Sequence, residues 1–234
     1  PDAKDFDDAV LVEPDGDGFR LRVSIADVAT HVRPDGAIDR AARDRGCSVY
    51  FPGQVFPMLP ARLSEEVCTL APGRDRDAVT VEMHVGPGGA VSDARFVRSR
   101  IRSAARLTYQ EVQDCLDGRP TAKTRRFAEM LEAAAACARA MLDKMKARGM
   151  LDMDLPEQHV ELDDAGAPAR VAPAERLFAH RIVEMFMIAA NEAVAGMLLE
   201  AGAPAVYRIH PPPDPGKLEA FADMAETLGA PVRF

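Results

Sequence analysis

Apolar and polar positions alternate with a period of two through most of the first third of the chain, the pattern of strands with one face in a core and the other partly wet. Residues 8–13 (DAVLVE) form the first such run, and the Pro-Asp-Gly-Asp-Gly segment at 14–18 separates it from residues 19–29, so the two read as a hairpin. Within the second run Phe19, Leu21, Val23 and Ile25 alternate with Arg20, Arg22, Ser24 and Ala26, which assigns the first set to a core. Residues 34–46 predict a short helix with Ile38, Ala41 and Ala42 inward and Gly46 as its stop. Two more strands are expected at 78–85 and 94–107 around the Gly-Pro-Gly-Gly turn at 86–89, the second carrying Arg98, Arg100 and Arg102 on one face.

Residues 49–70 break this rhythm. Pro52, Pro57 and Pro60 interrupt a strongly apolar stretch and forbid a regular helix or central strand, which predicts an ordered, buried loop. From residue 108 the spacing becomes helical. Thr108 and Glu111 spell a capping box, and an Ala-rich helix is expected over 121–148, closed by Gly149. A small hairpin around 160–171, a long helix over 174–200, a short strand over 205–210 and a last helix after the proline-rich joint at 211–215, ending near Gly229, complete the pattern. Met185, Phe186, Met187, Ile188 and Met197 read as core. The sum is an α+β single domain over 1–234: a mixed, mostly antiparallel sheet from about residues 7 to 107, surrounded by long helices from the second half.

Composition narrows the class. At 234 residues and 47% hydrophobic the chain fills a sizeable core and is not a disordered sequence. No apolar run reads as approaching the roughly 18 to 20 residues that span a bilayer, and no export leader is read, so a cytoplasmic setting without a membrane partner is expected. Cys47, Cys68, Cys115 and Cys137 are scattered, without zinc-site spacing, and read as thiols in a reducing compartment. A net charge of −8 excludes a surface-wide electrostatic glove for nucleic acid but leaves room for one basic channel. Because it opens on Pro1 inside an acidic cluster, the chain is expected to be a fragment with something upstream cut away.

That cluster is the sharpest chemical feature: Asp2, Asp5, Asp7 and Asp8 immediately precede the first apolar strand. Carboxylates crowded at the mouth of a strand repel one another, and hard oxygen donors select Mg²⁺ or Mn²⁺; a solvated acidic turn is the competing reading. The Asp-Gly-Asp-Gly run at 15–18 suits a hairpin turn better than a calcium loop. The five histidines lack metal-site spacing and read as structural, and no nucleophile elbow or nucleotide loop is present. Tyr50 and Phe51, in the proline-stiffened segment, offer a stacking platform for a nucleobase, with core packing as the alternative. The row Arg98, Arg100, Arg102 suits a phosphate track, with an exposed strand face as its alternative.

The segments PDAKDFDDAV (1–10), RVSIADVATHV (22–32), DRGCSVYFPGQVFPMLPARLSEEVCTL (44–70), RSRIRSAARLTY (98–109) and YRIHPPPDP (207–215) together resemble the ribonuclease II/R family, specifically the N-terminal half of its RNB catalytic domain. The resemblance implies a Mg²⁺-dependent (or Mn²⁺-dependent) 3′-to-5′ exoribonuclease that releases nucleoside 5′-monophosphates from single-stranded RNA, with no obligate protein partner. It assigns Asp5, Asp7 and Asp8 to catalysis. Asp5 and Asp8 are expected to contact the metal, and Asp7 is the residue whose loss should most damage the chemistry. Asp2 is supporting, and a further family aspartate falls just before Pro1. Tyr50 matches the aromatic that stacks on the 3′-terminal base, and a second clamp aromatic maps near Met153. A catalytically decayed RNB-like RNA-binding or regulatory module is the competing class, and a structural divalent-ion binder the third.

Overall fold

The computed structural model describes residues 4–150, 158–163, 166–173, 176–209 and 211–232. Asp2, Met153 and His210 lie outside the described residues. In chain order the elements are β1 (Asp8–Asp15), β2 (Gly18–Ala26), α1 (Ala37–Arg45), β3 (Val49–Phe51), β4 (Gln54–Phe56), β5 (Asp75–Val85) and β6 (Val91–Arg102). They are followed by α2 (Tyr109–Leu116), α3 (Ala128–Ala147), β7 (Gln158–Leu162), β8 (Pro168–Pro173), α4 (Phe178–Glu200) and α5 (Pro215–Thr227). The chain gathers into two compact units, residues 1–194 and 195–234.

The first unit is built on a four-stranded sheet in the order β1-β2-β5-β6, antiparallel at every pairing, with β3-β4 and β7-β8 as separate hairpins. The α+β reading therefore holds. The hairpin joining β1 and β2 is a turn and not an ion loop: Gly16 takes φ 63°, Asp15 is ion-paired to Arg20 at 3.0 Å, and a Cβ on Gly18 would collide with the Val85 carbonyl.

Both faces of the sheet carry a core. On one, Val12, Leu21, Val23, Val81, Met83 and Val85 pack with Cys137 and Ala138 of α3 and Met185 and Phe186 of α4. Past Ser24 the burial crosses sides: Ala26 and Ala78 pack with Leu63, Cys68 and Leu70, while Ile25 is left 38% exposed. The single-face alternation expected for Phe19 to Ile25 fails at its last residue because the proline-rich segment covers the opposite face there. Between the two cores Ser24, Thr80 and Ser99 link hydroxyls across three strands at 2.8 and 2.7 Å.

Residues 49–70 are not one buried loop. Their first part is the exposed hairpin β3-β4, turned at Gly53 with φ 75°; only the second part, through a wide π-type helical segment at Arg62–Val67, enters the core. Helix α1 buries no residue and leaves Ile38 exposed, contrary to its expected inward face; Arg43–Asp39 at 2.8 Å and the C-terminal Gly46 hold it instead. Helix α3 starts at Ala128 rather than Thr121, because Thr121 and buried Thr124 cross-bond their hydroxyls and backbone N–H groups (3.0 and 3.2 Å) into a turn.

Helix α4 corrects the hydropathy reading. Phe178–Glu200 is long enough and, at a mean hydropathy of 1.7, apolar enough to cross a membrane by length and composition alone. Its composition has a local cause, since Ala179, Ile182, Met185, Phe186, Ala189 and Ala190 are buried side chains of the first unit. In the second unit α5 opens with Asp214 accepting from Lys217 N–H at 3.2 Å and with Pro215 in its first turn. Described residues 205–209 form no strand, contrary to the alternation read there.

Candidate active site

The acidic segment is held from three sides before it enters β1. Phe6 N–H donates to Thr69 Oγ1 at 2.8 Å, the Thr69 hydroxyl donates to the Lys4 carbonyl at 3.1 Å, Leu70 N–H donates to the Phe6 carbonyl at 2.8 Å, and Ala26 N–H donates to the Asp7 carbonyl at 2.9 Å. Phe6 packs against the second core cluster, and the alternation of an extended backbone then turns Asp5 and Asp7 outward. Asp5, Asp7 and Asp8 all reach solvent. Asp7 is nonetheless raised above the ordinary carboxylate range, first by the protein around it and then by the charges of Asp5 and Asp8. Asp8 is raised by the same loss of water, opposed by its own backbone N–H. Buried Cys68 lies within the field of Asp7, which adds to the rise its burial causes.

Among the described residues no three His, Cys, Asp or Glu side chains converge into a ready metal cage. The donor set still fits Mg²⁺, which is commonly held by one or two carboxylates plus waters and substrate phosphate oxygens rather than by an all-protein cage. Asp5 and Asp8, whose charges act on Asp7, are two carboxylates that could serve in this way.

Tyr50 is 67% exposed and Phe51 57%, so the core-packing alternative fails for both. Phe51 and Phe56 brace the hairpin edge to face, with ring centroids 6.0 Å apart. At its base Arg45 donates to the Met58 carbonyl at 3.0 Å and Met58 N–H donates to Ser48 Oγ at 2.9 Å. The next residue, Leu59, packs on the same core cluster as Phe6. The chain leaving the aromatic hairpin thus enters the core on which the acidic segment packs.

The arginine row lies on one face, as period two requires, and each member has an aspartate. Arg98 meets Asp27 at 3.1 Å, Arg100 meets Asp77 at 3.2 Å and Arg102 meets Asp75 at 2.7 Å. Asp77 and Asp75 sit directly opposite Arg100 and Arg102 in the β5-β6 register. The row is a cross-strand charge ladder whose guanidinium groups keep exposed edges.

The RNB domain family matches residues 1–232. The chain belongs to this family. Among curated relatives, Ribonuclease R of Aquifex aeolicus is 42% identical over 99% of the chain, and the chain spans 33% of that protein's length. Among solved structures, Mycoplasma genitalium RNase R in complex with ribose-methylated single-stranded RNA matches all of the chain with a TM-score of 0.94 at 29% identity; the chain covers 37% of it. The same enzyme in complex with double-stranded RNA matches at 0.93. Yeast Ssd1, a pseudonuclease, shares the fold at a TM-score of 0.74 and 17% identity.

Two residues of this RNB domain at the acidic mouth escaped the sequence reading. The Arg106 guanidinium lies over the Phe6 ring, 5.1 Å from its centroid. Tyr109, the first residue of α2, has its phenol pushed up by burial and by the charge of Asp8. The sequence signals for Tyr109 were its place after the Thr108 N-cap and at the end of the segment 98–109. There the capping box closes as read, with Glu111 N–H donating to Thr108 Oγ1 at 3.2 Å and Thr108 N–H donating to Glu111 Oε2 at 2.7 Å.

Proposed function

We propose that the protein to which this RNB domain belongs is a divalent-metal-dependent 3′-to-5′ exoribonuclease that hydrolyses single-stranded RNA to nucleoside 5′-monophosphates. One observation carries the reading: Asp7 is crowded by Asp5 and Asp8 on a segment that packs on the same core as Leu59, which follows an exposed aromatic hairpin. Tyr50 stacks under the terminal base, on a platform stiffened by the Phe51–Phe56 pair. Asp5 and Asp8 would hold Mg²⁺ or Mn²⁺, which when bound would supply positive charge at the scissile phosphate. Asp7 accepts a hydrogen bond from the attacking water and orients it. Arg98, Arg100 and Arg102 offer exposed guanidinium edges to upstream phosphates while their aspartates fix them in place. A cytoplasmic setting belongs to the same reading and is supported by four free cysteines.

The test uses the full-length protein and a 5′-labelled oligoribonucleotide. The expected result is Mg²⁺-dependent shortening from the 3′ end with release of 5′-monophosphates, abolished by EDTA. A second reading, a decayed RNB-like RNA-binding module, draws on the lack of a three-donor cage among the described residues. Tight RNA binding without any degradation selects that reading and overturns the first.

A further inference from the structure

The N-termini of α2 and α4 meet beside the acidic mouth. The rings of Tyr109 and His180 stack with centroids 4.1 Å apart and planes 35° apart. His180 Nδ1 also accepts from Leu177 N–H at 3.1 Å. One helical turn further along α2, Gln113 Oε1 accepts from Ala179 N–H at 3.2 Å, so the two helix starts are locked at two points. On its other side the loop leading into α2 is tied to the acidic segment through Arg106 over Phe6, three residues before Tyr109. The charge of Asp8 reaches the Tyr109 phenol across the same gap. Both residues lie in the first unit.

We infer that His180 is a positioning residue of the acidic site: it touches none of the reacting groups, and its stacked ring holds Tyr109 at the mouth beside Asp8. The inference rests on the proposed nuclease reading for what the site does, and on geometry alone for what His180 does. Tyr109 is 45% exposed, and the His180 ring stacks against its own, so the orientation of Tyr109 draws on that ring. An aromatic stack sets the plane and position of a ring without fixing a charge, which makes the requirement one of shape rather than of imidazole chemistry. Small displacements at a reacting centre are costly in rate even when affinity is preserved.

The experiment uses full-length protein carrying His180→Ala or His180→Phe, with ring-labelled tyrosine and the single-stranded oligoribonucleotide substrate. In His180→Ala the Tyr109 ring resonances lose the shift caused by the neighbouring ring, kcat falls by about tenfold with KM within about twofold, and Tm falls by no more than about 4 °C. His180→Phe restores both the ring shift and kcat to within about threefold of the parent protein. Three results overturn the inference: Tyr109 resonances that do not move in His180→Ala, a Tm loss with kcat unaltered, or His180→Phe behaving as His180→Ala. If the parent protein lacks metal-dependent degradation the nuclease reading fails, while the tyrosine resonances still decide whether His180 holds the ring.

Discussion

Two ring-bearing pairs of neighbouring residues meet opposite fates in this molecule. Met185–Phe186 on α4 is completely buried between the sheet and α3, whereas Tyr50–Phe51 on β3 is 67% and 57% exposed. Burying an aromatic ring is worth a few kcal/mol of folding free energy, so a ring left in water does nothing for folding. The hairpin keeps its rings out by construction: Gly53 makes the tight turn, Pro52 and Pro57 bracket it, and Leu59 enters the core only after the rings have passed. An exposed apolar patch of this kind reads as a contact surface, whereas the α4 pair belongs to the core.

The sharpest way to break the comparison is to truncate one ring of each pair. Phe186→Ala should cost about 3 to 5 kcal/mol in denaturant unfolding, because the cavity opens among Val81, Met83 and Met185 in a core with nothing to fill it. Phe51→Ala should cost less than about 1 kcal/mol. Equal losses in the two variants mean that the hairpin is part of the core after all.

Asp7 sharpens the contrast between stability and function. Asp7→Asn in the full-length protein should lower kcat more than about a hundredfold, with RNA affinity kept within about threefold. Without divalent metal at pH 7 the same variant should melt higher than the parent. The sign follows from the raised carboxyl: the folded state holds its proton more tightly than the unfolded state, so its stabilising contribution is present at low pH and lost as pH rises through the folded pKa. The melting advantage of Asn should therefore shrink on acidification and vanish below about pH 4, and saturating Mg²⁺ should remove it at neutral pH. A parent that melts higher than Asp7→Asn in EDTA at pH 7 contradicts the crowding.

Tyr50→Ala tests the exposed pair from the other side. Stacking on one base is worth about 1 to 3 kcal/mol, so single-stranded RNA should bind roughly 5- to 150-fold more weakly, while Tyr50→Trp stays within about threefold of the parent and neither changes Tm. Unaltered RNA affinity in Tyr50→Ala removes the hairpin from the binding surface.

Much of this was legible from local pattern. Asp-Gly at 15–16, the Thr108–Glu111 box and the alternation at Leu21 and Val23 are settled by neighbours within a few residues, and each formed as read. The misreadings share a different cause. Ile25 and α1 depend on which distant segment covers them, and the exposure of Tyr50 and Phe51 depends on where the proline-rich chain re-enters the core. The Tyr109–His180 stack joins residues 71 positions apart on two helices, and neither residue type nor spacing marks it. The acidic segment was legible because four aspartates in seven residues are self-evident; the Thr69, Leu70 and Ala26 contacts that pin it were not.

The smallest expected effect compares the two ends of the arginine ladder. Asp27 is buried and held below the ordinary carboxylate range, first by the Thr30 hydroxyl and then by Arg98, whereas Asp75 and Arg102 meet in open solvent. Arg98→Ala leaves a buried carboxylate short of a partner and should cost about 1 to 2 kcal/mol; Arg102→Ala should leave stability unchanged within error. A depressed carboxyl contributes stability that is present above its unfolded pKa and lost as pH falls through the folded value. The Arg98→Ala deficit should therefore be full at pH 7 and close as the pH is lowered past about 3.9 towards the folded value. If Arg102→Ala weakens RNA binding while Arg98→Ala only destabilises, the exposed end of the ladder belongs with the aromatic hairpin and its buried end with the core. If both substitutions act on stability alone, the ladder is a strand-pairing device along its whole length.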